Sequence, residues 1–163
     1  MLHPEEIVIK LKEYIKDDLI SFEIRDRSDG CKNVKDQKHL YLKVTREAFH
    51  RSVAFLYKID PLHISCPMPS IETEDLIELI YPFSIYAGHG EFKELPLMMS
   101  YDIPKSDLRT VSIADIIPGI VIMERETQEM LGIEIENLTD QRRIFTPDNL
   151  KEGFRPLRVK DQQ

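Results

Sequence analysis

Few residues in this chain have both the type and the spacing that chemistry requires. Glu72, Glu74 and Asp75 form a short carboxylate cluster of the sort that could exchange protons as general acid and base. They precede a strand-like segment in polar surroundings, so a solvated loop is the expectation there. His63 and His89 could offer imidazoles to a metal, but the run Gly88-His89-Gly90-Glu91 predicts a turn. Cys31 and Cys66 stand alone and far apart, with no CxxC, which argues against an iron–sulfur cluster or a structural zinc site. Without a secretion signal, a disulfide between them is not expected either. The chain has no glycine-rich phosphate loop and no nucleophile spaced with a base. Met98-Met99 lies in a strand pattern and reads as core.

Sequence-specific detail concentrates instead between Ser112 and Arg158. Ser112 and Asp115 have the S-x-x-D spacing of a capping box, which predicts a short helix broken by Pro118-Gly119. A second helix is predicted from Ile120 to Leu131. Ile120, Met123, Thr127 and Met130 form its seam, with Glu124, Gln128 and Leu131 on the neighbouring face. Gly132 follows at the position where a left-handed cap is wanted. Glu124, Arg125 and Glu126 are consecutive on this helix and spread over about 200° of its circumference. They cannot all face one partner, so Glu124 or Arg125 is expected to brace the C-terminal arm while the others reach outward. After a short strand in IEIENL, the tail interleaves Arg142, Arg143, Arg155 and Arg158 with Ile144, Phe145, Phe154 and Leu157. It is too apolar for a disordered linker and has no period for a core element. An arm that orders across a partner surface accounts for both, with arginine suited to geometry-specific pairing with carboxylates.

The rest of the chain reads as the scaffold that holds this segment. Pro4 to Lys16 is an amphipathic helix, with Pro4, Glu5 and Glu6 suited to its first turn and Ile7, Leu11, Tyr14 and Ile15 as its buried stripe. Ile20, Phe22 and Ile24 alternate as in a half-buried strand. The polar run from Arg25 to Lys38, with its Asp29-Gly30 turn signal, is expected to be a hairpin loop. Leu40, Leu42 and Val44 then share a strand face. Thr45 fits a helix N-cap whose hydroxyl accepts from free amides, and the helix runs to about Lys58, burying Phe49, Val53 and Leu56 before Asp60-Pro61 stops it. HISCPMPSIE is at best an edge strand. LIELIYPFSIYAG is the strongest strand, and ELPLMMSYDIP is its return. The fold class is α+β, a small antiparallel or mixed sheet with helices on one side and an irregular C-terminal arm. Residues 1–133 are expected to form the scaffold and residues 134–163 the docking arm.

Composition narrows the function. The 163 residues carry a net charge of −7, which argues against a general nucleic-acid binder. No apolar run approaches the roughly 20 residues of a membrane span, and the start is too acidic and interrupted for a signal peptide. A cytosolic protein is expected, one that reaches a membrane through other subunits and does not insert directly.

ERETQEMLGI at Glu124–Ile133, followed by DQRRIFTPDN and FRPLR, resembles the respiratory-chain 30 kDa (C) subunit family of complex I and of related energy-converting, membrane-bound [NiFe]-hydrogenases. Glu124-Arg125-Glu126, Gly132, Arg142-Arg143, Pro147 and Pro156-Leu157-Arg158 fall in register with that family's pattern. The resemblance covers roughly residues 40–158. Ile122-Met123 stands where complex I members have an aromatic, and Thr127-Gln128-Glu129 where they have a Tyr-Asp pair. Both departures favour the hydrogenase-type and archaeal branch.

The resemblance implies a structural subunit with no cofactor and no catalysis of its own. Its implied partners are a large catalytic subunit and a small Fe-S subunit. Iron–sulfur clusters, and nickel–iron in the hydrogenase branch, belong to those partners. Membrane-embedded ion-pumping subunits would be met only indirectly, at the cytoplasmic face of the membrane. The competing reading is a free-standing small α+β enzyme or ligand-binding protein.

Overall fold

The computed structural model describes residues 1–29, 35–89, 94–147, 149–151 and 153–159. It has three α-helices and eight strands among these residues, divided into two compact units. The first unit comprises Met1–Cys66 and Ile80–Tyr101, and the second Pro67–Leu79 and Asp102–Gln163.

In the first unit the chain opens with α1 (Pro4–Ile15), β1 (Leu19–Asp29), β2 (Lys35–Val44) and α2 (Arg46–Ile59). β3 (His63–Ile64) follows, and later β5 (Leu76–Ile85) and β6 (Leu95–Pro104). The sheet runs β1-β2-β6-β5-β3. β1 and β2 pair antiparallel, whereas β2 and β6 pair parallel with Leu40 opposite Leu97. A parallel pair needs a long crossover, and α2 lies within the one that joins these strands. Mixed pairing with helices is the α+β class that the patterning predicts. Leu40, Leu42 and Val44 are buried as their alternation requires, as are Ile7, Leu11 and Ile15 of α1 and Phe49, Val53 and Leu56 of α2. Phe49 sits between Tyr81 and Tyr101, with ring centroids 4.5 and 4.4 Å away. Met99 is fully buried, as expected of a core residue.

Four expectations fail here. The polar stretch from Arg25 to Lys38 is not a long loop. β1 runs on to Asp29 and β2 begins at Lys35, in register through Arg25 opposite His39. Backbone ladders do not require apolar side chains, so a polar two-stranded ribbon escapes a hydrophobicity pattern. Gly30 of the expected turn, Cys31, Gly90 and Glu91 lie outside the described residues. Ile20 and Phe22 are about half exposed, although Phe22 shares a sheet face with buried Leu42. β1 is an edge strand, and cover thins at the rim. Tyr14 is likewise exposed on one side, stacked on Phe55 at 4.9 Å. Thr45 occupies the N-cap position of α2 but makes no side-chain cap. Its hydroxyl donates to Asp18 at 2.8 Å instead.

The second unit contains β4 (Ser70–Glu72), paired antiparallel with the start of β5, then β7 (Arg109–Val111), α3 (Val121–Leu131) and β8 (Glu134–Glu136). β7 and β8 pair parallel, Thr110 opposite Ile135, and α3 is their crossover. Ile113, Ile120, Leu131, Ile133 and Ile135 are among its buried apolar residues. The helix expected at Ser112–Asp115 does not form. Residues 114–116 make a turn, and a short 3-10 segment from Pro118 to Ile120 leads into α3. The expected seam of α3 holds in part. Ile120 and Thr127 are buried and Met123 and Met130 half-buried, but Glu124, Arg125 and Glu129 are buried as well.

Candidate docking surface

Three of the buried residues on α3 are charged, and burying a charge is costly unless it is paired and hydrogen-bonded. Each one is. Glu124, fully buried, accepts from the Ser112 hydroxyl at 2.5 Å and from the Ile113 amide at 3.0 Å. Those bonds explain the missing helix, because the Ser112 oxygen is held by Glu124 and also accepts from the Ala114 amide at 3.0 Å. Arg125 donates Nε to the Arg142 carbonyl at 3.0 Å and Nη1 to Asp140 Oδ2 at 3.0 Å, and its Nη2 reaches the same carbonyl. Glu129, one turn further on, accepts the Ile144 amide at 2.5 Å and the Phe145 amide at 2.8 Å.

Arg125 and Glu129 therefore hold the arm by its main chain as it passes along α3. The bracing expected of Glu124 or Arg125 falls to Arg125, while Glu124 fixes the loop before the helix. Glu126 is half-buried, and its carboxylate has no partner among the described residues. Asp140 joins the arrangement by pairing with both Arg125 and Arg142. The Arg142 guanidinium and amide hold its carboxyl far below the ordinary range, with Arg125 adding to the effect.

At the end of α3, Gly132 adopts φ 71° and ψ 28°, the left-handed cap the sequence predicts. The glycine also makes room for a neighbour, since a Cβ there would lie 2.8 Å from Arg155 Cδ. Leu157 donates its amide to the Met130 carbonyl at 3.2 Å, and Arg158 donates Nη1 to the Leu131 carbonyl at 3.2 Å. Arg158 Nε also meets Glu72 Oε1 at 3.0 Å, and the Val159 amide meets Glu72 Oε2 at 3.0 Å. Lys105 Nζ completes the cluster, 2.7 Å from Glu72.

Glu72 is thus not part of a solvated acid–base loop, since its side chain is 7% exposed. Burial alone would push its carboxyl up. The Lys105 ammonium, the Val159 amide and the Arg158 guanidinium outweigh burial and hold it at about 2. A carboxylate so tightly held is a poor proton carrier near neutral pH. Glu74 and Asp75 are exposed.

The remaining candidates separate cleanly. Among the described residues no α-helix or strand follows β8, so the arm is irregular as expected. Pro147 is exposed and Pro156 half-buried. Arg142 reaches Asp140 from the surface, while neighbouring Arg143 is exposed and makes no hydrogen bond or ion pair among the described residues. Ile144, Phe145, Leu157 and Val159 expose 49, 41, 57 and 64% of their surface, an apolar set on a segment whose backbone is fixed. His89 turns to Asp60 at 3.0 Å, and no group of three or more metal-ligating side chains exists among the described residues. Cys66 is exposed and free. No helix among the described residues is long and apolar enough to cross a membrane.

Glu129 and Asp140 are the residues the sequence reading misses, and Glu72 is one it names but expects to be solvated. For Glu129 a signal existed, because it lies four residues beyond Arg125 and so shares its helix face.

A family model described as respiratory-chain NADH dehydrogenase, 30 Kd subunit, matches residues 42–163. The membrane-bound hydrogenase subunit beta of Pyrococcus furiosus is 27% identical over 153 residues, covering 90% of this chain and 87% of that protein. A chain in the structure of the membrane-bound sulfane sulfur reductase, an archaeal respiratory membrane complex, superposes with a TM-score of 0.64 at 16% identity, over 89% of this chain and 77% of that one. A trypsin-resistant fragment of Nqo5 superposes with a TM-score of 0.58 at 15% identity, over 83% of this chain and 97% of the fragment. At those identities the two structures establish a shared fold.

Proposed function

This chain belongs to the respiratory-chain NADH dehydrogenase 30 kDa subunit family, and from that membership we propose that it is a cofactor-free structural subunit of a membrane-bound electron-transfer complex. Its place would be beside the large catalytic subunit and the small cluster-bearing subunit, on the cytoplasmic side of the membrane. Residues 134–163 would serve as its docking arm. The curated relative is a membrane-bound hydrogenase subunit, which favours the hydrogenase-type branch over the quinone-reducing one.

One observation carries this reading. Two charged side chains of the family motif are spent inside the chain: Arg125 on the main chain of the chain's own arm and Glu124 on the loop before α3. That is the chemistry of holding a shape. A catalytic acid or base needs a proton-accessible group with its pKa near the working pH, and Glu72, the most strongly held carboxylate of the sequence's acidic cluster, lies far from it.

Purification of the tagged chain from membranes tests the proposal. The expected result is co-purification with iron–sulfur subunits, and no stoichiometric iron or nickel on the chain once it is separated from them. A chain that purifies alone and turns over a substrate would instead be the free-standing enzyme.

A further inference from the structure

We propose that Arg143, Ile144 and Phe145 are the anchor of the docking arm, and that they seat in an apolar groove flanked by a carboxylate on a different subunit. The inference rests on the reading of this chain as a docking subunit and adds the contact and the chemistry of its partner.

The first argument is the grip itself. Glu129 takes the amides of Ile144 and Phe145, and Arg125 takes the carbonyl of Arg142. The backbone from 142 to 145 is therefore set, while the side chains at 143, 144 and 145 remain exposed. A loop ordered before it binds loses less entropy on docking. Aromatic residues and arginine are the types most often found carrying interface energy.

The second argument is charge. Among the arm's arginines, Arg142 is matched by Asp140 and Arg158 by Glu72. Arg155 donates to the Phe154 carbonyl at 3.2 Å. Arg143 has no such match among the described residues. A fixed backbone that leaves a guanidinium beside exposed apolar side chains calls for a carboxylate opposite.

The third argument is continuity. Ile122 is 52% exposed on α3 and shares a helix face with Glu126 and Glu129, four and seven residues on. An exposed apolar side chain therefore stands on the same face of α3 as Glu129, which holds the arm.

A second copy of this chain is a poor occupant for the same patch. In a twofold contact each surface meets itself, which would set arginine-bearing arms against one another.

The test uses the assembled complex, purified through a tag on this chain. R143E and F145S are each expected to lower recovery of the complex about tenfold or more, with the melting temperature of the isolated chain unchanged. K38A, which removes an exposed pairing between β2 and Glu5 of α1, is expected to leave recovery as in wild type. A photo-crosslinking amino acid in place of Phe145 should attach to a peptide of one other subunit that contains Asp or Glu. Wild-type recovery with both R143E and F145S, or crosslinking only to lipid or to a second copy, would overturn the anchor. Failure of the wild-type chain to recover any partner would overturn the docking reading beneath it.

Discussion

Glu72 gives the sharpest stability prediction, because its environment fixes both a sign and a size. Its folded pKa of about 2 lies below the ordinary 4.5. A depressed carboxyl contributes its full stability above the ordinary value and loses it as pH falls from about 4.5 toward 2. A drop of that size corresponds to on the order of 3 kcal/mol. Salt screening weighs little here, since the side chains of Glu72, Arg158 and Lys105 are 7, 16 and 19% exposed. Glu72→Gln keeps the shape and removes the charge, leaving Lys105 and Arg158 facing a neutral amide. Denaturant melts of wild type and variant between pH 7 and pH 2.5 should differ by roughly 2–3 kcal/mol at neutral pH. The two curves should then converge below pH 4 as the wild-type carboxyl takes up its proton. Hydrogen exchange at Leu157 and Val159 should report the same loss locally, because Val159 donates directly to Glu72. A gap that stays constant with pH would refute the electrostatic reasoning and leave only packing.

Gly132→Ala should cost about 1–2 kcal/mol from the left-handed backbone alone, and more because the new methyl displaces Arg155; a thermal melt decides it. Ser112→Ala removes a hydroxyl donor from fully buried Glu124 and should cost about 1–3 kcal/mol in a denaturant titration. Phe49→Ala, between two tyrosine rings, should cost about 3–5 kcal/mol in the same titration.

The elements legible in the sequence are those whose burial follows a local period. α1, α2, β5 and β6 carry apolar residues at helical spacing or in strand-like runs, and each forms close to its expected limits, as does the apolar half of β2 from Leu40 to Val44. What escapes is decided by distant partners. Ser112 has the spacing of a cap, yet a carboxylate twelve residues away takes its hydroxyl. Glu72 reads as solvated because nothing nearby in sequence announces Arg158, 86 residues on. The polar ends of β1 and β2 form a ladder through backbone groups that no side-chain pattern reveals. On α3 the sequence leads to the expectation that Glu124 or Arg125 braces the arm, but consecutive charges cannot say which. Only the fold shows that Arg125 does so, through the arm's main chain, while Glu124 turns to Ser112 and Ile113.

Because Glu129 grips amides rather than side chains, the hold on positions 144 and 145 is blind to what those positions spell. Lineages could re-letter the contact to suit a drifting neighbour without unfastening the strap beneath it. Proline is the exception, since it has no N–H to give, and at either position it would release the arm.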